Sequence, residues 1–197
     1  MQPQIAIIGS GSWATALAKL FLNNTGRIHW YIRKEEDIAY FREFKTNPRY
    51  LSSVEFDVQN IEFHHSLEDC VKQADYLVLA IPSAFLHDAF SVLTKEDLHN
   101  KVLFSAIKGI VPQHNLIVGE YLNKVYDVPL PNIGVITGPC HAEEVALEKL
   151  SYLTIASLNT ANAQTVSDML SCRYLSSSVS DDIYGTEYSA VLKNVIA

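Results

Sequence analysis

The 197-residue sequence lacks features that would assign it to several common classes of protein. It has no apolar run of membrane-spanning length and no basic leader before a long apolar segment, so we predict neither a membrane span nor a secretion signal. Its three cysteines, Cys70, Cys140 and Cys172, are odd in number and widely spaced, which fits neither a disulfide framework nor a metal site. We therefore expect a cytoplasmic protein with no metal site.

Basic charge is also scarce. The formal net charge of −7 disfavours a broad nucleic-acid-binding face, so we expect no nucleic-acid partner. A phosphate ligand would have to be held by backbone amides and a few well-placed cations. With 48% hydrophobic and 19% charged residues, the composition is that of an ordinary globular protein that can bury one good core.

Residues 5–20, IAIIGSGSWATALAKL, predict a buried strand, a tight turn and a helix. In that context the string formed by Gly9, Gly11 and Ala14 is typical of a dinucleotide-binding turn, because glycine lets the backbone approach a pyrophosphate. The first helical amides, at Ser12 and Trp13, would point at the phosphates. The alternative is a glycine turn that has no ligand.

Segments typical of strands and helices alternate along the chain, which predicts an α/β fold with a Rossmann-like parallel sheet flanked by helices. A second strand is predicted at residues 27–32. At the end of that strand a dinucleotide-binding unit often has an acidic residue for the ribose hydroxyls, but here the position holds Arg33, followed by Lys34. Arg33 could stack on adenine or pair with a 2′-phosphate, so NADP should be tolerated. The alternative is a solvated basic pair.

Two motifs follow further predicted strands, at the carboxyl edge where open α/β sheets bind ligands. These are IPS at residues 81–83 and Lys108-Gly109, where the lysine faces either the crevice or water. The segment NPRYL, which contains Tyr50, lies in a predicted irregular connection. It is interpreted either as loop packing or as part of a ligand lid.

Another motif, residues 138–144, repeats the pattern of a strand followed by a helix. Gly138 would permit a close backbone approach, and Pro139 is predicted to start the helix. His141 is either catalytic or a polar filler. Cys140 could be reactive at a helix N-terminus, but no oriented histidine and acid partner is evident.

A final helix is predicted after Ser180, with Asp181 and Asp182 as cap and first turn. Its predicted apolar stripe consists of Tyr184, Tyr188, Val191, Leu192 and Val195, and its other face of Glu187, Ala190, Lys193 and Asn194. Because this pattern is still unfinished at residue 197, we expect a fragment. We also expect a second domain to follow.

Several motifs in this order and spacing together resemble the bacterial NAD(P)-dependent glycerol-3-phosphate dehydrogenases: GSGSWATALA, NPRYL, IPS, IKG, TGPCHAEEV and YGTEYSAVLKNVIA. The resemblance spans the whole chain. It implies the reduction of dihydroxyacetone phosphate to sn-glycerol 3-phosphate, a precursor of glycerophospholipids. It also implies that residues 1–180 form an NAD(P)-binding Rossmann-like domain and that residues 181–197 begin an all-helical C-terminal substrate domain, through which a homodimer could form.

The resemblance also implies roles for individual residues. Cofactor contacts would come from Gly9, Gly11, Ser12, Trp13, Ala14, Arg33, Tyr50, Lys108 and Ala142, and substrate contacts from Lys108, Gly138, Cys140 and Lys193. Lys193 would be the acid/base residue, assisted by Lys108. The sequence departs from the family at Ala14, at Cys140 in place of serine or threonine, and at His141 in place of an aromatic residue. A thiol is a weaker hydrogen-bond partner for a substrate than a hydroxyl.

Two other functions are kept as alternatives. The first is a related 3-hydroxyacid or 6-phosphogluconate-type dehydrogenase, which shares this N-terminal plan. The second is a nucleotide-binding domain without catalysis. We expect the 197 residues alone to bind NAD or NADP but not to turn over substrate, and the sequence leaves the preference between the two cofactors open.

Overall fold

A computed structural model of the chain describes the backbone of residues 3–196 and the side chains of residues 3–192. Within this range the strands are β1 (Ile5–Ile8), β2 (Ile28–Tyr31), β3 (Ile61–His64), β4 (Tyr76–Leu79), β5 (Val102–Ser105), β6 (Ile110–Val111), β7 (Leu116–Ile117), β8 (Ile133–Thr137), β9 (Ser151–Ser157) and β10 (Leu175–Ser180). The helices are α1 (Ser12–Thr25), α2 (Glu35–Phe44), α3 (Leu67–Gln73), α4 (Leu86–Phe90), α5 (Lys95–Leu98), α6 (Val118–Tyr126), α7 (Ala142–Ala146), α8 (Thr160–Leu170) and α9 (Ile183–Ile196).

Eight of the described strands form one sheet in the order β10-β9-β8-β5-β4-β1-β2-β3. The strands from β8 to β3 are parallel, which confirms the predicted Rossmann-like arrangement. β9 pairs antiparallel with β8, and β10 is parallel to β9, so the last two strands run against the rest. The sheet is therefore mostly parallel, and only this edge departs from the parallel arrangement, because the chain returns after α7 without a full crossover.

The core is divided by the sheet into two hydrophobic clusters, one on each face. All four residues of β1 are buried, as expected for a central parallel strand covered on both sides. α1 ends at Gly26, whose φ of +69° is the left-handed conformation that glycine adopts easily at a helix C-terminus. None of the helices in the described part of the chain has both the length and the apolarity needed to cross a bilayer.

Two helix predictions need correction. The helix predicted to start at Pro139 begins instead at Ala142, with His141 as its N-cap, so residues 139–141 lie before the helix. In addition, the sequence analysis assigned nothing between the IKG motif and β8. That segment forms the β6–β7 hairpin and the amphipathic helix α6.

The predicted apolar stripe of α9 is largely exposed. Tyr184, Tyr188 and Leu192 are 40%, 46% and 52% exposed, whereas Glu187 on the other face is fully buried and Ala190 is 6% exposed. The small and polar face of α9 is therefore the one packed against the sheet, where the helix contacts β8 and β9. The side chain of Val195, also assigned to the stripe, lies outside the described side chains.

Candidate functional site

Two adjoining clefts lie along the carboxyl edge of the parallel strands. The lysine cleft, of about 520 Å³, is lined by residues that include Ser12, Trp13, Lys108, Cys140 and Ala142. The arginine cleft, of about 370 Å³, is lined by residues that include Gly9, Tyr31, Arg33, Asp37 and Arg49. Both are lined by Gly11, Tyr50, Ala80, Ile81 and Pro82, so the two clefts form one elongated depression beside the N-terminus of α1.

The N-terminus of α1 has no side-chain cap. Gly11 is its N-cap, and the first turn contains no acidic residue. The amide of Thr15 donates to the carbonyl of Gly11 at 3.0 Å, and the preceding helical amides have no acceptor within the helix. The helix dipole adds positive charge at the same place. These features suit an anionic ligand such as a diphosphate.

The two glycines of this turn have different roles. Gly9 has a φ of +126°, and a Cβ there would lie 2.5 Å from the carbonyl oxygen of Ala80, so glycine is required by the backbone of β4. Gly11 has an ordinary φ of −73°, and a Cβ there would meet nothing within 4 Å. Packing of the protein therefore does not explain glycine at position 11, and the open space fits a diphosphate close to the backbone.

Trp13 and Lys108 form the wall of the lysine cleft. The Lys108 ammonium lies 5.6 Å from the centroid of the Trp13 ring, within the range of a cation–π interaction. The indole Nε1 of Trp13 is buried and, among the described residues, has no hydrogen-bond partner. Of the two alternatives for Lys108, the structure supports the one in which it faces the cleft. An ammonium at this position can attract an anionic substrate or stabilise developing negative charge.

Hydrogen bonds of Asn47 pack the NPRYL segment against the glycine turn, which was the first of the two interpretations of this segment. Its buried side-chain amide donates to the carbonyl of Ser10 at 3.0 Å and to Oγ1 of Thr15 at 2.8 Å. Its Oδ1 accepts from the amides of Arg49 and Tyr50 at 2.9 and 3.1 Å. The segment is thus tied to the glycine turn and places Tyr50 where the two clefts meet. Sequence analysis missed this anchor, although an asparagine before a proline is a common turn signal.

The arginine cleft contains two guanidinium groups, one paired with a carboxylate and one exposed. Arg49 donates to both carboxylate oxygens of Asp37, at 2.6 and 2.7 Å, so this acidic group is already paired. Arg33 is exposed and follows the end of β2. Burial raises the pKa of Tyr31, and the positive charge of Arg33 partly opposes that rise. The cleft thus offers the cation of Arg33, and its aspartate is paired with Arg49 of the same cleft.

The residues after β8 are only partly arranged as expected. Gly138 does not line either cleft, since a Cβ there would lie 2.2 Å from the carbonyl oxygen of Tyr152 in β9. Cys140 lines the lysine cleft, but its thiol donates to that same carbonyl at 2.9 Å and accepts from the Tyr152 amide at 3.3 Å. Ala142 and the exposed His141 also line the cleft. The close approach at Gly138 is therefore made to β9.

Glu187 is a buried acid on the polar face of α9, and the sequence did not indicate its burial. Its two carboxylate oxygens lie 3.2 and 3.1 Å from the amide nitrogen of Gly119, in the first turn of α6. A Cβ at Gly119 would lie 2.9 Å from the carboxylate, so glycine leaves the room it needs. Burial raises the pKa of Glu187 to about 7, although hydrogen bonds from backbone amides oppose the rise. The contact joins α9 to α6.

Most of the predicted site residues come together. Those at the two clefts are Gly9, Gly11, Ser12, Trp13, Arg33, Tyr50, Lys108, Cys140 and Ala142. Ala14 is buried inside the first turn of α1. The backbone of Lys193 belongs to α9, but its side chain lies outside the described residues, so its assigned role stays a prediction.

Comparisons with known proteins agree with this geometry. A profile of the N-terminus of NAD-dependent glycerol-3-phosphate dehydrogenases matches residues 4–163. Two relatives named glycerol-3-phosphate dehydrogenase, NAD(P)+, are 31% identical over 195 residues in Oceanobacillus iheyensis and 35% identical over 197 residues in Ectopseudomonas mendocina. They are matched over 98% and 100% of this chain, but the chain spans only 56% of each relative.

Solved structures show the same fold. A structure of glycerol-3-phosphate dehydrogenase from Plasmodium falciparum has a TM-score of 0.88 and 22% sequence identity, over 98% of this chain and 57% of that one.

Proposed function

This chain belongs to the NAD-dependent glycerol-3-phosphate dehydrogenase family, and from that premise we propose that it binds NAD or NADP across the two clefts and serves to reduce dihydroxyacetone phosphate to sn-glycerol 3-phosphate. The observation that carries the proposal is the uncapped N-terminus of α1 beside the open space at Gly11. The product fits a role in supplying glycerophospholipid synthesis.

The coenzyme diphosphate would bind the amides of Ser12 and Trp13, and the adenosine half would occupy the arginine cleft. Arg33 supports NADP as well as NAD, because a guanidinium can pair with a 2′-phosphate. Asp37, the acid of this cleft, is held by Arg49 at 2.6 and 2.7 Å. We therefore propose that both coenzymes bind.

The nicotinamide half would enter the lysine cleft and, when bound, supply the hydride. Lys108, held over the Trp13 ring, would bind the substrate and stabilise negative charge on its carbonyl oxygen. Lys193 would deliver a proton to that oxygen and, in the reverse direction, accept it from the alcohol. Cys140 would contribute a cleft surface, because its thiol is engaged by β9. Gly138 would not contact the substrate itself, but it would position the following residues that line the lysine cleft.

The domain division is also proposed. Residues 1–180 would form the coenzyme-binding domain, and residues 181–197 would begin the helical substrate domain, which could carry a homodimer contact. The exposed Tyr184, Tyr188 and Leu192 on the outer face of α9 support this division, because they leave an apolar surface for further chain to cover. A cytoplasmic location is consistent with the small phosphorylated substrate.

The activity is tested with the full-length protein, by following oxidation of NADH and NADPH with dihydroxyacetone phosphate. Lys193→Ala should abolish turnover and leave coenzyme affinity within about 2-fold, since removing a proton donor affects only the chemical step. Lys124→Ala, which removes an exposed lysine paired with Glu120, is the matched control and should retain turnover. Full turnover by the Lys193 variant would contradict the assignment.

A nucleotide-binding domain without catalysis is the competing function, and the same assays separate the two. It predicts coenzyme binding by the full-length protein with no turnover of dihydroxyacetone phosphate. For the 197 residues alone we expect coenzyme binding without turnover. A robust steady-state rate from this piece would refute the view that its site is incomplete.

A further inference from the structure

A second cluster of polar side chains lies away from the clefts, on strands β2 and β3. His29 is aligned with Glu62, and His64 follows two residues later on the same side of β3. Their neighbours of opposite parity, including Trp30, point into the core on the other face. The three side chains therefore share the face that α3 covers. None of them lines either cleft.

The possible ligand atoms of this cluster lie within 4.8 Å of one another. Nδ1 of His29 is 3.1 Å from Nε2 of His64 and 3.7 Å from Oε2 of Glu62, and Nε2 of His64 is 4.0 Å from Oε1 of Glu62. Ligands about 2.0–2.1 Å from a tetrahedral metal ion are about 3.3 Å apart. The three separations differ from that spacing by less than about 1 Å, which small side-chain rotations can supply.

We propose that His29, Glu62 and His64 bind one divalent transition-metal ion, with zinc the best candidate. Two imidazole nitrogens and one carboxylate oxygen are a donor set that zinc uses in proteins, with water as a fourth ligand. Because the ligands come from adjacent strands, the ion would fasten the edge strand β3 to β2. The site would be structural, since none of its three ligands lines either cleft.

The surroundings of the cluster allow an ion to enter from one side. The side chains of His29 and His64 are 7% and 10% exposed, whereas that of Glu62 is 38% exposed. Arg27 donates to Oε2 of Glu62 at 2.7 Å. This contact orients the carboxylate, and its charge weakens the attraction for a cation. Arg27→Ala should therefore tighten metal binding rather than abolish it.

The competing explanation is a hydrogen bond between two neutral imidazoles, which alone accounts for the 3.1 Å separation. A calorimetric titration of zinc into the whole protein, expressed without a histidine tag and freed of metal with a chelator, distinguishes the two. We expect one zinc ion per chain. His64→Ala should weaken binding at least about 100-fold, because even outer-sphere partners of metal ligands are worth 10–100-fold.

The matched control is His65→Ala, which removes the adjacent exposed histidine beside Glu35 and should leave zinc affinity unchanged. Substitution of cobalt for zinc gives a second readout. Visible absorption of tetrahedral cobalt without thiolate charge transfer supports the proposal, whereas thiolate charge transfer would place the ion on a cysteine.

If His64→Ala fails to fold, Glu62→Gln is titrated in its place and should also weaken zinc binding. The proposal is overturned if the unaltered protein does not bind zinc. It is also overturned if removal of these ligands leaves the zinc affinity unchanged.

Discussion

Helices α1 and α6 begin in opposite surroundings. α6 has no side-chain cap of its own, but the buried carboxylate of Glu187 from α9 lies 3.1 and 3.2 Å from the amide of Gly119 in its first turn. α1 also lacks a side-chain cap, and its first turn has no acidic residue. A cleft lies beside it instead. One helix N-terminus is satisfied by the protein, and the other is available to a ligand.

This comparison of the two helix starts distinguishes a glycine that is needed for packing from a glycine that leaves space for a ligand. At α6, Gly119 makes room for a protein carboxylate, and at α1, Gly11 makes room that no protein atom uses. An anion is favoured at either helix start by the unpaired amides and the dipole. We infer that α1 has an anion only when the coenzyme is bound.

The largest loss of stability is expected from substitution of Gly9, which is needed for packing. Gly9→Ala would force a Cβ to 2.5 Å from the carbonyl oxygen of Ala80 at a φ of +126°. We expect a loss of about 3–5 kcal/mol in the free energy of unfolding, measured by denaturant titration. Gly26→Ala is the matched control, since its φ of +69° is also positive but nothing lies within 4 Å, and it should cost about 1 kcal/mol. Equal losses would show that steric contact at Gly9 is unimportant.

The role of the Glu187 carboxylate at the start of α6 is tested by Glu187→Gln. Because the pKa of Glu187 is raised in the folded state to about 7 from 4.5, the folded protein binds more protons than the unfolded chain between these values. The stabilisation is therefore complete below about pH 4.5 and is lost as pH rises to 7, by about 3 kcal/mol at most. Glutamine, which is neutral and keeps an acceptor for Gly119, should remove this dependence.

The measurement is the free energy of unfolding of the two proteins between pH 5 and pH 8. The variant should gain stability relative to the unaltered protein as pH rises. Glu120, the nearby acid at the start of α6, raises the pKa of Glu187 and is left in place. Glu96→Gln, at an exposed acid in α5, serves as control and should show no such trend. If the difference in free energy of unfolding between the two proteins did not change with pH, the raised pKa of Glu187 would be contradicted.

A smaller effect is expected at Asn47, which ties the NPRYL segment to the open helix start. Asn47→Ala removes hydrogen bonds to Ser10, Thr15, Arg49 and Tyr50, so we expect a loss of about 1–2 kcal/mol in stability. Coenzyme affinity should fall about 10-fold, because Tyr50 is no longer held between the clefts. Asn60→Ala, which affects an exposed contact with Asp57, should change neither quantity. Unaltered coenzyme binding would confine Asn47 to a structural role.

The sequence predicted the strand, glycine turn and helix at the start of the chain well because their signals are local. The apolar run of β1, the glycines and the helical spacing of α1 lie within sixteen consecutive residues. The edge position of Lys108 follows from the strand before it, since carboxyl ends of parallel strands meet at one edge. The contact between Lys108 and Trp13 joins residues far apart in the chain, and no spacing rule indicates it.

The failures concern contacts between distant segments. Periodicity divided α9 into an apolar stripe with Tyr184 and Tyr188 and a polar face with Glu187, but it did not indicate that the polar face is buried. That burial depends on the first turn of α6, which lies 68 residues before Glu187. The family resemblance assigned Gly138 to substrate, yet β9 turns back and occupies the space beside it. In the same way, the alignment of His29 with Glu62 and His64 depends on strand register.

The most direct measurement is the affinity of Gly11→Val for NADH and NADPH, determined by calorimetry beside its melting temperature without coenzyme. The Cβ at this position meets open space at an ordinary φ, so the melting temperature should stay within about 2 °C of the unaltered protein. Affinity for both coenzymes should fall at least about 100-fold, or about 2.7 kcal/mol, because the side chain would occupy the place of the diphosphate. Unchanged affinity in a folded variant would contradict coenzyme binding at the start of α1.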